Sequence, residues 1–114
     1  MHELAMIKNI IELIEKVALD NHAAKVLSAK VKIGELQEVT KENFIFVFKQ
    51  QARGTLADGA RIEIDEVPMV AYCKKCEHEF KPEDHHFMAC PKCGQNDIEV
   101  LSGRDVILES IEVE

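Results

Sequence analysis

The segment CKKCEHEFKPEDHHFMACPKCG, residues 73–94, decides how the chain is organised. Cys73, Cys76, Cys90 and Cys93 are the only cysteines in the protein and form two Cys-x-x-Cys pairs separated by 13 residues. Each pair sets two thiolates on one tight turn, and two such turns meeting complete a tetrahedral four-sulfur site of the kind zinc prefers. Pro91 fixes φ early in the second turn, and Gly94 can take a backbone angle costly to other residues. A redox dithiol, an iron–sulfur centre and unligated thiols are the alternatives. Structural zinc is the favoured reading in a chain expected to be cytoplasmic, where a disulfide framework would be out of place. Large apolar groups are few here, chiefly Tyr72, Phe80, Phe87 and Met88, so the order of this module is expected to depend on its metal.

Upstream lies a separate core. Leu4, Ile7, Ile11, Ile14 and Ala18 recur at alternating three- and four-residue steps, widened by Ile10 and Val17, which predicts an amphipathic helix from Leu4 to Leu19 that stops at Asp20-Asn21-His22. Glu3 suits the positive start of that helix, and Glu12 and Lys16 are spaced as an i,i+4 pair. Leu27, Ala29, Val31 and Ile33 alternate with Ser28, Lys30 and Lys32 and predict a half-buried strand ending at Gly34. Thr40 is placed to cap a second helix running through Arg53, with Phe44, Val47, Phe48 and Ala52 on its apolar face. Asp58-Gly59 marks a turn, and Ile62 and Ile64 alternate with acidic and basic residues in a second strand. Downstream of the cysteines, Ser102-Gly103-Arg104-Asp105 turns the chain into a β-rich run, Val106 to Val113, expected to pair with an earlier strand.

The expected fold is therefore α+β: a small mixed sheet covered on one face by two helices, with an inserted four-cysteine zinc-ribbon-like module. Residues 1–68 and 101–114 would form the helix and sheet domain and 69–100 the inserted one, with Pro68 and Gly103 as hinge boundaries. The expected inner set is Leu4, Ile7, Ile11, Ile14, Leu27, Val31, Phe44, Phe48, Ile62, Ile64 and Ile107.

Charge narrows the partners. With 14 basic against 21 acidic side chains the formal net charge is −7, and four zinc-bound thiolates would take it to about −9. A protein that grips phosphates needs a basic face, and only Lys74-Lys75 with Lys92 could form a local patch, so nucleic-acid binding is not expected. No apolar run reaches the roughly 18 residues of a membrane span. There is no Gly-rich phosphate loop, no His-Glu-x-x-His and no nucleophile elbow, and a zinc ion with four sulfur ligands has no open position for water. The chain is not expected to be an enzyme, and acidic pairs such as Asp65-Glu66 and Glu83-Asp84 read as solvated surface.

The histidines divide by position. His22 reads as a helix cap or a solvated residue. His78, His85 and His86 lie between the cysteine pairs as loop residues, donors to the site or auxiliary metal ligands. His2 stands beside the terminus, and a large side chain at position 2 generally keeps the initiator methionine in place. The amine of Met1, the amide and imidazole of His2 and the amide of Glu3 can close fused chelate rings on one ion, and such all-nitrogen sets favour tetragonal or planar nickel(II) or copper(II) over zinc. A plain solvated helix start is the other account of the same residues.

Met1-His2-Glu3-Leu4, the helix that follows, the Gly34-Glu35 step after the first strand and the late paired Cys-x-x-Cys motifs resemble, over essentially the whole chain, the HypA family of nickel metallochaperones. That resemblance implies a transferable Ni(II) held at Met1, His2 and Glu3 through backbone nitrogens and the His2 imidazole. It also implies structural Zn(II) on Cys73, Cys76, Cys90 and Cys93, with nickel delivered during maturation of nickel–iron hydrogenase and, as a second destination, urease. The implied partners are a HypB-like nickel-handling GTPase, a hydrogenase large-subunit precursor and urease accessory proteins. The competing readings are a zinc-ribbon adaptor and a nucleic-acid-binding module without nickel transfer.

Overall fold

The computed structural model describes residues 2–82 and 89–114, residue 2 by its backbone alone. The elements run α1 (His2–Asp20), β1 (Val26–Gly34), a single 3-10 turn (Glu35–Gln37), α2 (Lys41–Gln51), β2 (Arg61–Val67), β3 (Val70–Cys73), β4 (His78–Phe80), β5 (Ile98–Ser102) and β6 (Val106–Val113). They make two three-stranded sheets, ordered β2-β1-β6 and β4-β3-β5. The chain divides into two compact units, one of residues 1–32, 39–65 and 107–114 and one of 33–38 and 66–106. Two helices with small mixed sheets and a four-cysteine module are the α+β architecture expected from the sequence.

In the first unit α1 packs on α2. Ile7, Ile14, Ala18, Phe44 and Phe48 are fully buried, and Phe44 stacks on Phe48 with ring centroids 6.3 Å apart. Thr40 caps α2 as its type and position require, its hydroxyl accepting from the Asn43 N–H at 3.2 Å. The helix ends at Gln51 with Ala52 as its C-cap, two residues short of the Arg53 expected. His22 ends α1 in the left-handed conformation, φ 57°. Ala23 N–H donates to the Ala18 carbonyl (2.9 Å) and His22 N–H to that of Leu19 (3.0 Å), the paired bonds of a Schellman cap in which His22 fills the position glycine favours. Lys16 pairs with Asp20, one turn further on, at 3.2 Å.

Strands β1 and β6 run antiparallel, since Ala24 and Lys25 bond to Glu114 while Lys30 and Lys32 reach Glu109 at 3.5 and 3.4 Å. Here three expected core positions move outward. Leu27 is 44% exposed while Val26 and Ser28 are buried, because the inward face changes parity between Ser28 and Ala29. Ile107 is 52% exposed, Val106 and Leu108 being the less exposed pair, and the phase slips again before Ile111. Leu4, in the first turn of α1, is 37% exposed. A single unbroken period of two cannot describe either strand.

In the second unit β3 is the central strand, antiparallel to β4 (Ala71 opposite Phe80) and to β5 (Ala71 opposite Val100), with an irregularity between Val70 and Ala71. The 34–37 segment belongs to this unit and is held by several bonds. Gly34 N–H donates to the Asp105 carbonyl and Leu36 N–H to that of Gly103, both at 2.8 Å. The Gln37 side-chain amide donates to the Arg104 carbonyl at 2.7 Å, and a Glu35 carboxylate oxygen accepts from the Met69 N–H at 2.9 Å. Gly103, read from sequence as a hinge, is buried with φ 86°, and a Cβ there would lie 2.4 Å from the Met69 Cα. Glycine at this position permits backbone contact rather than free rotation.

Candidate metal centre

Both cysteine pairs form the same turn. Cys73 ends β3, and the chain turns back so that the Glu77 N–H donates to the Cys73 carbonyl at 2.8 Å. In the second pair the Gly94 N–H donates to the Cys90 carbonyl, again at 2.8 Å. The residue following each second cysteine takes a left-handed backbone: Glu77 at φ 56° and Gly94 at φ 71°. Further bonds seat the turns, from Cys90 N–H to the Gln95 carbonyl (2.9 Å) and from Lys74 N–H to that of Asp97 (3.3 Å).

These turns bring all four Sγ atoms within 4.8 Å of one another. Cys73 Sγ lies 3.7 Å from Cys93 Sγ, and Cys76 Sγ lies 3.8 Å from Cys90 Sγ. A tetrahedron with metal–sulfur bonds of about 2.3 Å has edges of about 3.8 Å, so the sulfur spacing matches a closed tetrahedral zinc shell. A disulfide would need the sulfurs at about 2.05 Å, and all four cysteines are free. The Cys76 N–H points at Cys73 Sγ (3.3 Å), which supports a thiolate there. Cys73 and Cys90 are buried and the other two half-buried.

The thiols are electrostatically unequal. The hydrogen bond to Cys93, then burial, then the neighbouring thiols of Cys90 and Cys73 push Cys76 up to about 12. Burial also acts to raise Cys90, but the N–H groups of Cys93 and Lys92, with the thiols of Cys93 and Cys73, outweigh it and hold this thiol at about 7. Four sulfurs this close cannot all ionise without a cation among them. A dication bound by four thiolates supplies that charge and ties the turns together.

His78 sits on β4 with its ring 5.9 Å from Phe80, and its buried Nδ1 has no hydrogen-bond partner among the described residues. The auxiliary candidates His85 and His86 lie outside the described residues, as do Glu83, Asp84, Phe87, Met88, Met1 and the His2 side chain. Helix α1 begins at His2 and carries Glu3 in its first turn. A Glu3 carboxylate oxygen accepts from the side-chain amide of Asn43 on α2. Asn43 was missed in the sequence because its partner is 40 residues away; the one local signal is its position three residues after the Thr40 cap. No helix among the described residues is long and apolar enough to cross a membrane.

A cluster of four thiols on paired turns defines a small metal-binding protein. Across residues 1–113 the chain matches the sequence model of the family described as hydrogenase/urease nickel incorporation, metallochaperone, hypA. It is 34% identical to the hydrogenase maturation factor HypA of Pyrococcus abyssi, over all of this chain and 96% of the relative. It is 36% identical to that of Albidiferax ferrireducens over the whole of both chains. The fold is similar to the solution structure of the nickel metallochaperone HypA from Helicobacter pylori, with a TM-score of 0.71 and 28% identity, covering 97% of this chain and 96% of that one. A second HypA solution structure gives a TM-score of 0.73 at 29% identity, covering 100% and 97%. The chain belongs to the HypA family of nickel metallochaperones, which serve nickel incorporation into hydrogenase and urease.

Proposed function

We propose that this protein carries one exchangeable Ni(II) on the nitrogens of Met1, His2 and Glu3 and delivers it during maturation of nickel–iron hydrogenase, with urease as a second destination. The observation that carries the reading is that α1 starts at His2. The first N–H groups of a helix have no intrahelical acceptor, so the His2 and Glu3 amides can lose their protons to a metal without breaking the helix ladder. Consecutive residues close small rings, so chelation orders almost no additional chain. An imidazole with an ordinary pKa near 6.5 and an α-amine near 8 must release protons to bind, so a fall in pH favours discharge of the ion.

Zinc on Cys73, Cys76, Cys90 and Cys93 is proposed as the structural ion, with a full shell and no chemistry of its own beyond holding the two turns. Cytoplasmic partners would be a HypB-like GTPase that handles nickel, the hydrogenase large-subunit precursor and urease accessory proteins. In cells lacking the endogenous factor, the native protein should restore nickel to the hydrogenase large subunit and His2→Ala should not, at equal protein abundance and equal zinc content. Full restoration by His2→Ala would remove the proposal and favour a zinc-ribbon adaptor.

A further inference from the structure

We infer that the solvent face of α2 binds the same face of a second copy of this protein, the two helices running antiparallel about Phe46. Phe46 is 63% exposed, more than any other large apolar residue among those described. It stands midway between Phe44 and Phe48, both fully buried, so it points away from the core, about 200° round the helix from each. Its ring has no aromatic partner among the described residues. A single exposed apolar side chain is ordinary on a protein surface, and it is the charges around this one that select an occupant.

Glu42 lies one turn before Phe46 on that side of α2, and Lys49 and Gln50 lie one turn after it; all are exposed. Glu42 and Lys49 stand about 10 Å apart along the axis, and neither is in an ion pair among the described residues. The face is therefore acidic at one end, basic at the other and apolar in the middle. A twofold axis through Phe46, perpendicular to the helix, makes such a face complementary to itself. It stacks the two Phe46 rings at the axis and brings each Glu42 against the turn of the other copy that carries Lys49 and Gln50. Parallel pairing would set Glu42 on Glu42 and Lys49 on Lys49, so charge selects the antiparallel arrangement. A partner of uniform charge, an anionic membrane or an acidic protein, would satisfy only one end. One 11-residue helix against another covers less than the roughly 1,600 Å² of a standard interface, so the complex is weak and forms at high concentration.

The test is sedimentation of the full-length, zinc-loaded, nickel-free protein over a concentration series from about 5 μM to about 1 mM, where a small interface associates. The native protein should pass from monomer to dimer within that range and form nothing larger, because a twofold contact closes on itself. Phe46→Ala should weaken association by about tenfold or more, as loss of a central aromatic anchor does. Glu42→Lys and Lys49→Glu should each stay monomeric, since each leaves one sign of charge at both ends of the face. Mixed in equal amounts, these two variants should form a one-to-one dimer, because each then meets its opposite at both ends. Damage to the fold or to another surface would not be reversed by mixing. A native protein that is monomeric throughout would overturn the inference, as would native association in Phe46→Ala or in either charge variant. Failure of the mixture to associate would overturn the antiparallel pairing about Phe46.

Discussion

Three glycine-to-alanine substitutions separate backbone strain from steric exclusion in this fold. Gly59 has φ 78° and open space where a Cβ would stand, so Gly59→Ala meets only the left-handed backbone penalty, about 1 kcal/mol. Gly34 has an ordinary backbone, φ −70° and ψ 143°, but its added Cβ would lie 2.3 Å from the carbonyl carbon and oxygen of Gly103. Those are backbone atoms and cannot rotate aside. Non-bonded carbons rest about 3.5 Å or more apart, so the end of β1 and the turn at Gly103 must separate by about 1 Å, at an overpacking cost of about 3 kcal/mol. Gly103 meets both conditions, with φ 86° and a Cβ 2.4 Å from Met69 Cα and 2.6 Å from its nitrogen, so Gly103→Ala should cost about 4 kcal/mol. The expected order is therefore Gly59→Ala, Gly34→Ala, Gly103→Ala, from mildest to most severe. Urea unfolding gives the magnitudes, and amide exchange at Leu36 and Met69, whose N–H groups bond within the 34–37, 68–69 and 102–105 contact, gives the location. If Gly34→Ala costs no more than Gly59→Ala, or leaves Leu36 exchange unchanged, the close backbone approach is wrong.

Other outcomes follow from the core and the thiol cluster. Phe48→Ala should cost about 3 to 5 kcal/mol because Phe48 is fully buried, while Phe46→Ala, at a residue 63% exposed, should fall within about 0.5; equal thermal shifts would contradict the assigned helix face. Purified protein should contain about one zinc with four sulfur neighbours near 2.3 Å, and an oxygen neighbour in X-ray absorption would break the closed-shell reading. Chelation should raise amide exchange in β3, β4 and β5 while far-ultraviolet helix signal from α1 and α2 persists; loss of both together would show that the helices do not unfold independently of the metal module. Zinc affinity should fall with pH because metal displaces thiol protons. Cys76, at about 12, contributes across the working range, and Cys90, at about 7, contributes only below neutrality, so log affinity should steepen by one proton below about pH 7. A slope that does not change through neutrality would contradict the low Cys90 value.

The parts most legible in the sequence are those set by local chemistry. Paired Cys-x-x-Cys turns impose their own spacing, and Thr40 announces a helix start because its hydroxyl serves an amide three residues on. The stripe from Ile7 to Ala18 survives because a helix repeats without interruption. Strand faces were harder, since β1 and β6 each change parity once, and a pattern of period two read through that change puts Leu27 and Ile107 inside. The turn at Glu77 was hidden because glutamate occupies the left-handed position that Gly94 advertises in its twin. The bonds from Asn43 to Glu3 and from Met69 to Glu35 join residues 40 and 34 positions apart, and no local pattern encodes such a meeting.

Nickel on the amine, amides and imidazole of the first three residues can be measured by nickel titration at about pH 7.5, where the proton competition is modest. Three proteins are compared: native, His2→Ala, and a version with one residue added ahead of Met1, which keeps every side chain and moves only the amine. The native protein should bind one equivalent of nickel tightly and both altered ones far more weakly, with zinc unchanged at one equivalent throughout. Native affinity in His2→Ala would place the site elsewhere. Native affinity in the extended version alone would show the amine to be dispensable and hand its place to a side chain or water, with His85 and His86 the first candidates.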